Sequence, residues 1–95
     1  MGAVSPIGIG VEAFWNNLLA GKCGIDRITR FDPSNIRSSL AAEVKDFDPE
    51  KYQSAKDASH TDRSAQFALA AAIEAVEQSK VVGTVDPYRA AVYFG

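Results

Sequence analysis

The sequence predicts a piece of an α/β domain, and three observations lead there. Val11, Phe14, Trp15, Leu18 and Leu19 recur with the 3.6-residue period of an amphipathic helix. A second periodic stretch, rich in alanine, runs from about Thr61 to Ser79. The segment Arg89-Ala90-Ala91-Val92-Tyr93-Phe94-Gly95 is apolar, β-branched and aromatic behind turn residues, which is how a buried strand reads.

The first helix has matching ends. Gly10 is a permissive N-cap, Glu12 sits in the positive first turn, and Gly21 stands where a left-handed C-terminal cap is wanted. An irregular stretch follows. Gly21-Lys22-Cys23-Gly24-Ile25 is a glycine-flanked turn, and Phe31-Asp32-Pro33-Ser34 is another. Leu40-Ala41-Ala42-Glu43-Val44 is a short strand candidate. Phe47-Asp48-Pro49-Glu50 ends it, and Pro49 opens a helical turn towards Tyr52. In the second helix Thr61 is the expected N-cap, and Ala65, Ala68, Leu69, Ala72, Ile73 and Val76 the expected inner face. Side chains this small let a neighbouring layer approach closely, so the helix is expected inside something large. The chain begins within a turn and stops where a strand would hand over to a loop; both ends are expected to be cut.

Composition narrows the chemistry. The 95 residues are 46% hydrophobic and 23% charged, with formal charge -2. With no basic stripe, a nucleic-acid partner has no electrostatic footprint. No apolar run approaches the roughly 20 residues that span a membrane. The N-terminus lacks the pattern of a signal peptide, so a cytoplasmic location is expected. Cys23 is the single cysteine and His60 the single histidine, which gives neither a disulfide framework nor a zinc ligand set. A chain this short buries only roughly two-thirds of its unfolded surface, so its independent stability is expected to be marginal.

Four local patterns suggest chemistry and carry little of it. Gly8-Ile9-Gly10-Val11-Glu12-Ala13 matches G-x-G-x-x-A and opens a helix, as in dinucleotide sites. Such a site needs a strand immediately upstream, where Pro6 cannot donate to a ladder, so a flexible turn is the better reading. Cys23 as nucleophile follows the negative end of a helix, which disfavours thiolate. Ser59-His60-Thr61-Asp62 holds triad residue types, but triad members converge from separate positions, and a helix cap is the simpler reading. Asp46, Asp48 and Glu50, flanked by Lys45 and Lys51, read as a solvated loop.

Six stretches taken together resemble the β-ketoacyl synthases, condensing enzymes of the thiolase-like fold. They are Gly2-Ala3-Val4-Ser5-Pro6-Ile7-Gly8, Val11 to Gly21, Gly24-Ile25 with Phe31-Asp32, Val44-Lys45-Asp46-Phe47-Asp48, Thr61-Asp62-Arg63 into the alanine helix, and Ala91-Val92-Tyr93-Phe94-Gly95. Their order and spacing cover the whole chain, residues 1–95. The resemblance implies the truncated N-terminal portion of a synthase domain, part of an α-β-α-β-α layered fold. It implies a parent that takes an acyl group onto a cysteine, decarboxylates malonyl thioester and condenses the two in fatty acid or polyketide synthesis. That parent needs no metal or organic cofactor, receives substrates on acyl carrier protein, and forms homodimers or paired heterodimers. No catalytic residue is carried over. The family's nucleophile and two histidines lie beyond Gly95, and Cys23 stands where the family usually has serine. Ahead of the second helix the family can place basic residues that dock the acidic carrier protein. Here Lys56 is the clear cation, with His60 beside it. Thr61 replaces a common methionine, and Lys80 stands where a capping glycine is frequent. Two further readings keep less of this: a non-catalytic chain-length-factor-like partner, or a stand-alone interaction module or pseudogene product.

Overall fold

The computed structural model describes residues 1–94. They form two compact units, one of Val4–Phe47 and one combining Met1–Ala3 with the chain from Asp48 onwards.

The Val4–Phe47 unit opens on a hairpin. β1 (Val4–Ser5) pairs antiparallel with β2 (Gly8–Ile9), Val4 opposite Ile9 and Ser5 opposite Gly8. The chain turns through Pro6-Ile7, and the Ser5 hydroxyl donates to the Gly8 carbonyl at 3.1 Å. α1 (Val11–Leu19) follows with Gly10 as N-cap at φ 91°. Its C-terminus is closed as the glycine predicts. Gly21 lies at φ 67°, its N–H donates to the Leu18 carbonyl, and the Lys22 N–H reaches back to that of Asn17. α1 lies against the hairpin so closely that a Cβ on Gly8 would stand 2.5 Å from the Phe14 nitrogen. The expected stripe is covered only in part. Val11 and Phe14 are half-buried, while Trp15, Leu18 and Leu19 are 55%, 48% and 70% exposed. Strands of two residues offer too little surface to cover a helix of nine.

A second hairpin follows. β3 (Ile25–Arg27) pairs antiparallel with β4 (Leu40–Ala42), with Arg27 opposite Leu40. The pairing is extended by Ile28 N–H to the Ser39 carbonyl. The Glu43 carboxylate accepts from the Thr29 N–H and hydroxyl and the Arg30 N–H, and Lys45 pairs with Asp26 at 3.0 Å. Phe47 is the buried hydrophobic residue of this unit.

In the other unit, the turn at Pro49–Lys51 forms as expected, with Asp48 accepting from the Glu50 N–H. Two helices follow in place of one. α2 (Ala55–His60) is capped by Ser54, and α3 (Arg63–Ser79) by Asp62. Thr61 is therefore not the N-cap of the long helix. It is extended, closes α2, and donates its hydroxyl to the Asp57 carbonyl at 2.7 Å. A carboxylate is the stronger acceptor for the N–H groups opening α3, and Asp62 takes that of Ala65 at 2.8 Å.

The covered face of α3 also differs from expectation. Of the expected face, Ala65, Ala68 and Ile73 are half-buried and Leu69, Ala72 and Val76 exposed, while the buried residue, at 3% exposure, is Ala70. The N-terminal residues lie along the side that holds Ala70: the Ala3 N–H donates to Glu74, one turn on, at 2.9 Å, and a Cβ on Gly2 would meet the Ala71 carbonyl. α3 is thus apolar on two faces, the composition of a helix between layers.

α3 ends on Lys80 at φ 53°, ψ 33°, a left-handed residue without glycine's freedom. Lys80→Gly is expected to stabilise the chain by about 1 kcal/mol, and thermal denaturation should show a Tm about 4–8 °C higher. The expected C-terminal strand is not formed. A turn at Pro87–Arg89 leads into Ala90–Phe94, which carries no ladder, with Val92 and Tyr93 each 93% exposed. A buried strand requires neighbours on both sides, and no strand among the described residues pairs with it. Gly95 lies outside those residues.

Candidate functional site

Lys56 and His60, the sequence-derived docking residues, both fall on α2. They are four residues apart, hence adjacent on one face, and both are exposed. The structure makes this segment a short capped helix. Ser54 accepts from the Asp57 N–H at 3.1 Å and donates to the Asp57 carboxylate at 2.7 Å. That S-x-x-D spacing is a capping box, and it was the sequence signal for α2. The Gln66 amide then donates to the carbonyls of Ala58 and Thr61, at 3.0 and 3.1 Å. This fixes the C-terminal end of α2 to α3, so the face bearing Lys56 and His60 has a rigid support. Ser59, His60, Thr61 and Asp62 do not converge on a common point. Ser59 donates to the Lys56 carbonyl, Thr61 to that of Asp57, and Asp62 caps α3.

In the Val4–Phe47 unit, Cys23 lines a cleft of about 400 Å³ together with Pro6, Ile7, Lys22, Asp26 and Lys45. Its sulfur lies 3.8 Å from the Ile25 carbonyl oxygen, a weak contact within its own turn. Cys23 and His60 belong to different units. The neighbouring Gly24 has a packing reason: a Cβ there would be 2.8 Å from Pro6 Cβ and 2.9 Å from Ile7 Cγ2. The G-x-G-x-x-A match resolves the same way. Gly8 permits the approach of the α1 backbone, and the strand before α1 belongs to an antiparallel hairpin rather than a parallel βαβ unit. Among the described residues, no three His, Cys, Asp or Glu side chains are grouped to hold a metal. No helix among the described residues is long and apolar enough to cross a membrane.

Three carboxyls are held below their ordinary range. For Asp62 the main cause is the Ala65 N–H, then the Ser64 hydroxyl. For Asp26 it is the Arg27 N–H, then Lys45. For Glu43 it is the Thr29 hydroxyl. A depressed folded value means that the ionised form is bound more tightly in the folded chain. The resulting stability is present above the unfolded values near pH 4 and is lost as pH falls through the folded ones. Urea midpoints are therefore expected to fall steadily below about pH 4, and Asp62→Asn should flatten part of that slope.

Comparison with known proteins completes the picture. The chain matches the family model described as "Beta-ketoacyl synthase, N-terminal domain" over residues 1–95. It is 47% identical over 79 residues to 3-oxoacyl-[acyl-carrier-protein] synthase 2 of Vibrio cholerae, covering 83% of this chain and 19% of the relative. It is 46% identical over 97 residues to a putative polyketide beta-ketoacyl synthase 1 of Streptomyces cyaneus, covering 100% of this chain and 23% of the relative. It is 44% identical over 81 residues to 3-oxoacyl-[acyl-carrier-protein] synthase 2 of Staphylococcus aureus, covering 85% and 20%. The chain thus spans about a fifth of the length of these curated relatives. With the match running from Met1 to Gly95, the chain belongs to the β-ketoacyl synthase N-terminal domain family.

Proposed function

We propose that this chain is the N-terminal portion of a 3-oxoacyl-[acyl-carrier-protein] synthase of fatty acid or polyketide synthesis, and that it is inert by itself. The observation that carries the reading is the family match along the entire chain. In the parent reaction a cysteine thiolate displaces the carrier thiol from an acyl thioester. Malonyl thioester then loses CO₂, and the carbanion so formed attacks the acyl-enzyme, releasing the cysteine. Donors facing the thioester oxygens stabilise the developing oxyanions. None of these groups is assigned to this chain. Its part is structural, as a section of a layered thiolase-like domain that works as a dimer in the cytoplasm. The two apolar faces of α3 support a place between layers.

The chain also contributes a carrier-facing surface on α2. Lys56 steers the acidic acyl carrier protein, with His60 beside it. A rim charge of this kind acts on association rate more than on residence time. In the parent protein, Lys56→Glu is expected to weaken carrier-protein binding roughly two- to fivefold at low salt and to have no effect at high salt, as read by surface plasmon resonance. Unchanged affinity at low salt would remove Lys56 from the interface.

The decisive test compares the purified 95-residue chain with the protein read from the full reading frame. Malonyl decarboxylation and acyl transfer are expected only in the latter. Turnover by the chain alone would overturn its assigned inertness. A reading frame without a cysteine at the downstream strand-to-helix turn would overturn the catalytic reading and leave a partner subunit of the same family.

A further inference from the structure

Residues 27–40 carry three arginines, Arg27, Arg30 and Arg37, against a single acid, Asp32, in a chain whose net charge is negative. All three are exposed. The carboxylates on and around the β3–β4 hairpin are already engaged. Glu43 is held by the N–H groups of Thr29 and Arg30 and the Thr29 hydroxyl. Asp26 is paired with Lys45, and Asp32 takes the Ser34 N–H at 3.0 Å. Lys45 takes Asp26 at 3.0 Å, and among the described residues none of the three guanidiniums closes an ion pair of its own, that of Arg27 acting on Asp26 only through space. Between them stand Phe31 and Ile36, 57% and 49% exposed. Their backbone is ordered by the Asp32 turn and by Ile36 N–H to the Pro33 carbonyl at 3.1 Å.

We propose that the tip of the β3–β4 hairpin is a docking surface for an acidic protein partner. It is separate from α2 and independent of the condensing reaction. Arginine offers planar, bidentate recognition of carboxylates. Arginines interleaved with an exposed aromatic and an aliphatic side chain have the composition that anchors protein interfaces. A nucleic acid would call for a basic balance that the chain lacks, since its formal charge is -2. The Glu43 clamp presents the arginines on a fixed loop, which lowers the ordering cost of binding.

The test measures fluorescence anisotropy of the full 95-residue chain with three probes: a glutamate-rich peptide with interspersed leucines, a DNA duplex, and vesicles containing phosphatidylserine. The peptide is expected to bind best. The triple variant Arg27→Glu, Arg30→Glu, Arg37→Glu should weaken it more than tenfold, and Phe31→Ala about threefold. A charge-matched control, Lys51→Glu, Lys80→Glu, Arg89→Glu, should keep most of the affinity, with circular dichroism verifying that each variant folds. Equal losses in the two triple variants would mean diffuse electrostatics and overturn the proposal. Tighter binding of DNA or vesicles than of peptide would overturn it in favour of that other class of partner.

Discussion

Gly8→Ala is expected to destabilise the Val4–Phe47 unit by about 3 kcal/mol. The added methyl would stand 2.5 Å from the Phe14 nitrogen, 2.7 Å from the Ala13 carbonyl carbon and 2.8 Å from Phe14 Cα. These are backbone atoms of α1, which cannot swing aside as a side chain can. The substitution therefore separates helix from hairpin or strains both. Overpacking of this kind costs about 1–3 kcal/mol, and rigid backbone on one side places it at or above the upper end. Alanine also restricts the unfolded chain, which favours folding by about 0.4–1 kcal/mol. The steric cost wins. Gly21→Ala is the matched comparison. Gly21 has a positive φ but nothing within 4 Å of its absent Cβ, so only about 1 kcal/mol is at stake. Urea denaturation followed by circular dichroism should rank Gly8→Ala well below Gly21→Ala. The reverse order would mean that α1 does not rest on the hairpin as described.

Phe47→Ala should be the other severe change. Phe47 is the buried hydrophobic residue of its unit, at 9% exposure. Truncating a buried phenylalanine costs about 3–5 kcal/mol in a full core. The low end applies here, because a thin unit can collapse around the gap. Even about 3 kcal/mol is large against a total domain stability of about 5–15 kcal/mol. Phe47→Leu keeps most of the volume and should cost under about 1.5 kcal/mol. Guanidinium midpoints of the two variants give the comparison. Equal midpoints would show that Phe47 is not what holds the unit.

What was legible in the sequence was whatever has a strong local cause. The α1 stripe with its two glycine caps and the Pro49 turn rest on interactions within a few residues; the strand at Leu40–Ala42 was legible from its composition, and the Lys80 cap from the glycine the family pattern has there. The β1–β2 hairpin escaped because it gives no such signal. Its strands are two residues long, and neither Pro6 nor Ile7 has the positive φ that makes Asn-Gly turns recognisable. α2 escaped because Ala55–His60 has no apolar period, although its Ser54/Asp57 box was readable. The covered face of α3 was unreadable for a different reason. With alanines around most of its circumference, periodicity cannot select a side. The choice is made by Gly2 and Ala3, far away in sequence. The 89–95 run has strand composition, but composition does not supply a partner. As for the candidate site, Lys56 and His60 could be named from the family pattern, while their shared helical face required the structure.

The seating of Met1–Ala3 along α3 has a consequence for folding order. The α1–hairpin contacts close loops of about ten residues or fewer, at small entropic cost. The Ala3–Glu74 bond closes one of 71 residues. Contacts so distant form late in a chain otherwise built from local ones. Met1–Ala3 are thus among the last residues of this segment to find their place, and until they do, the side of α3 around Ala71 stays open to solvent. In amide exchange, Ala3 should report the final, most easily reversed step of assembly, while the α1 amides hold on.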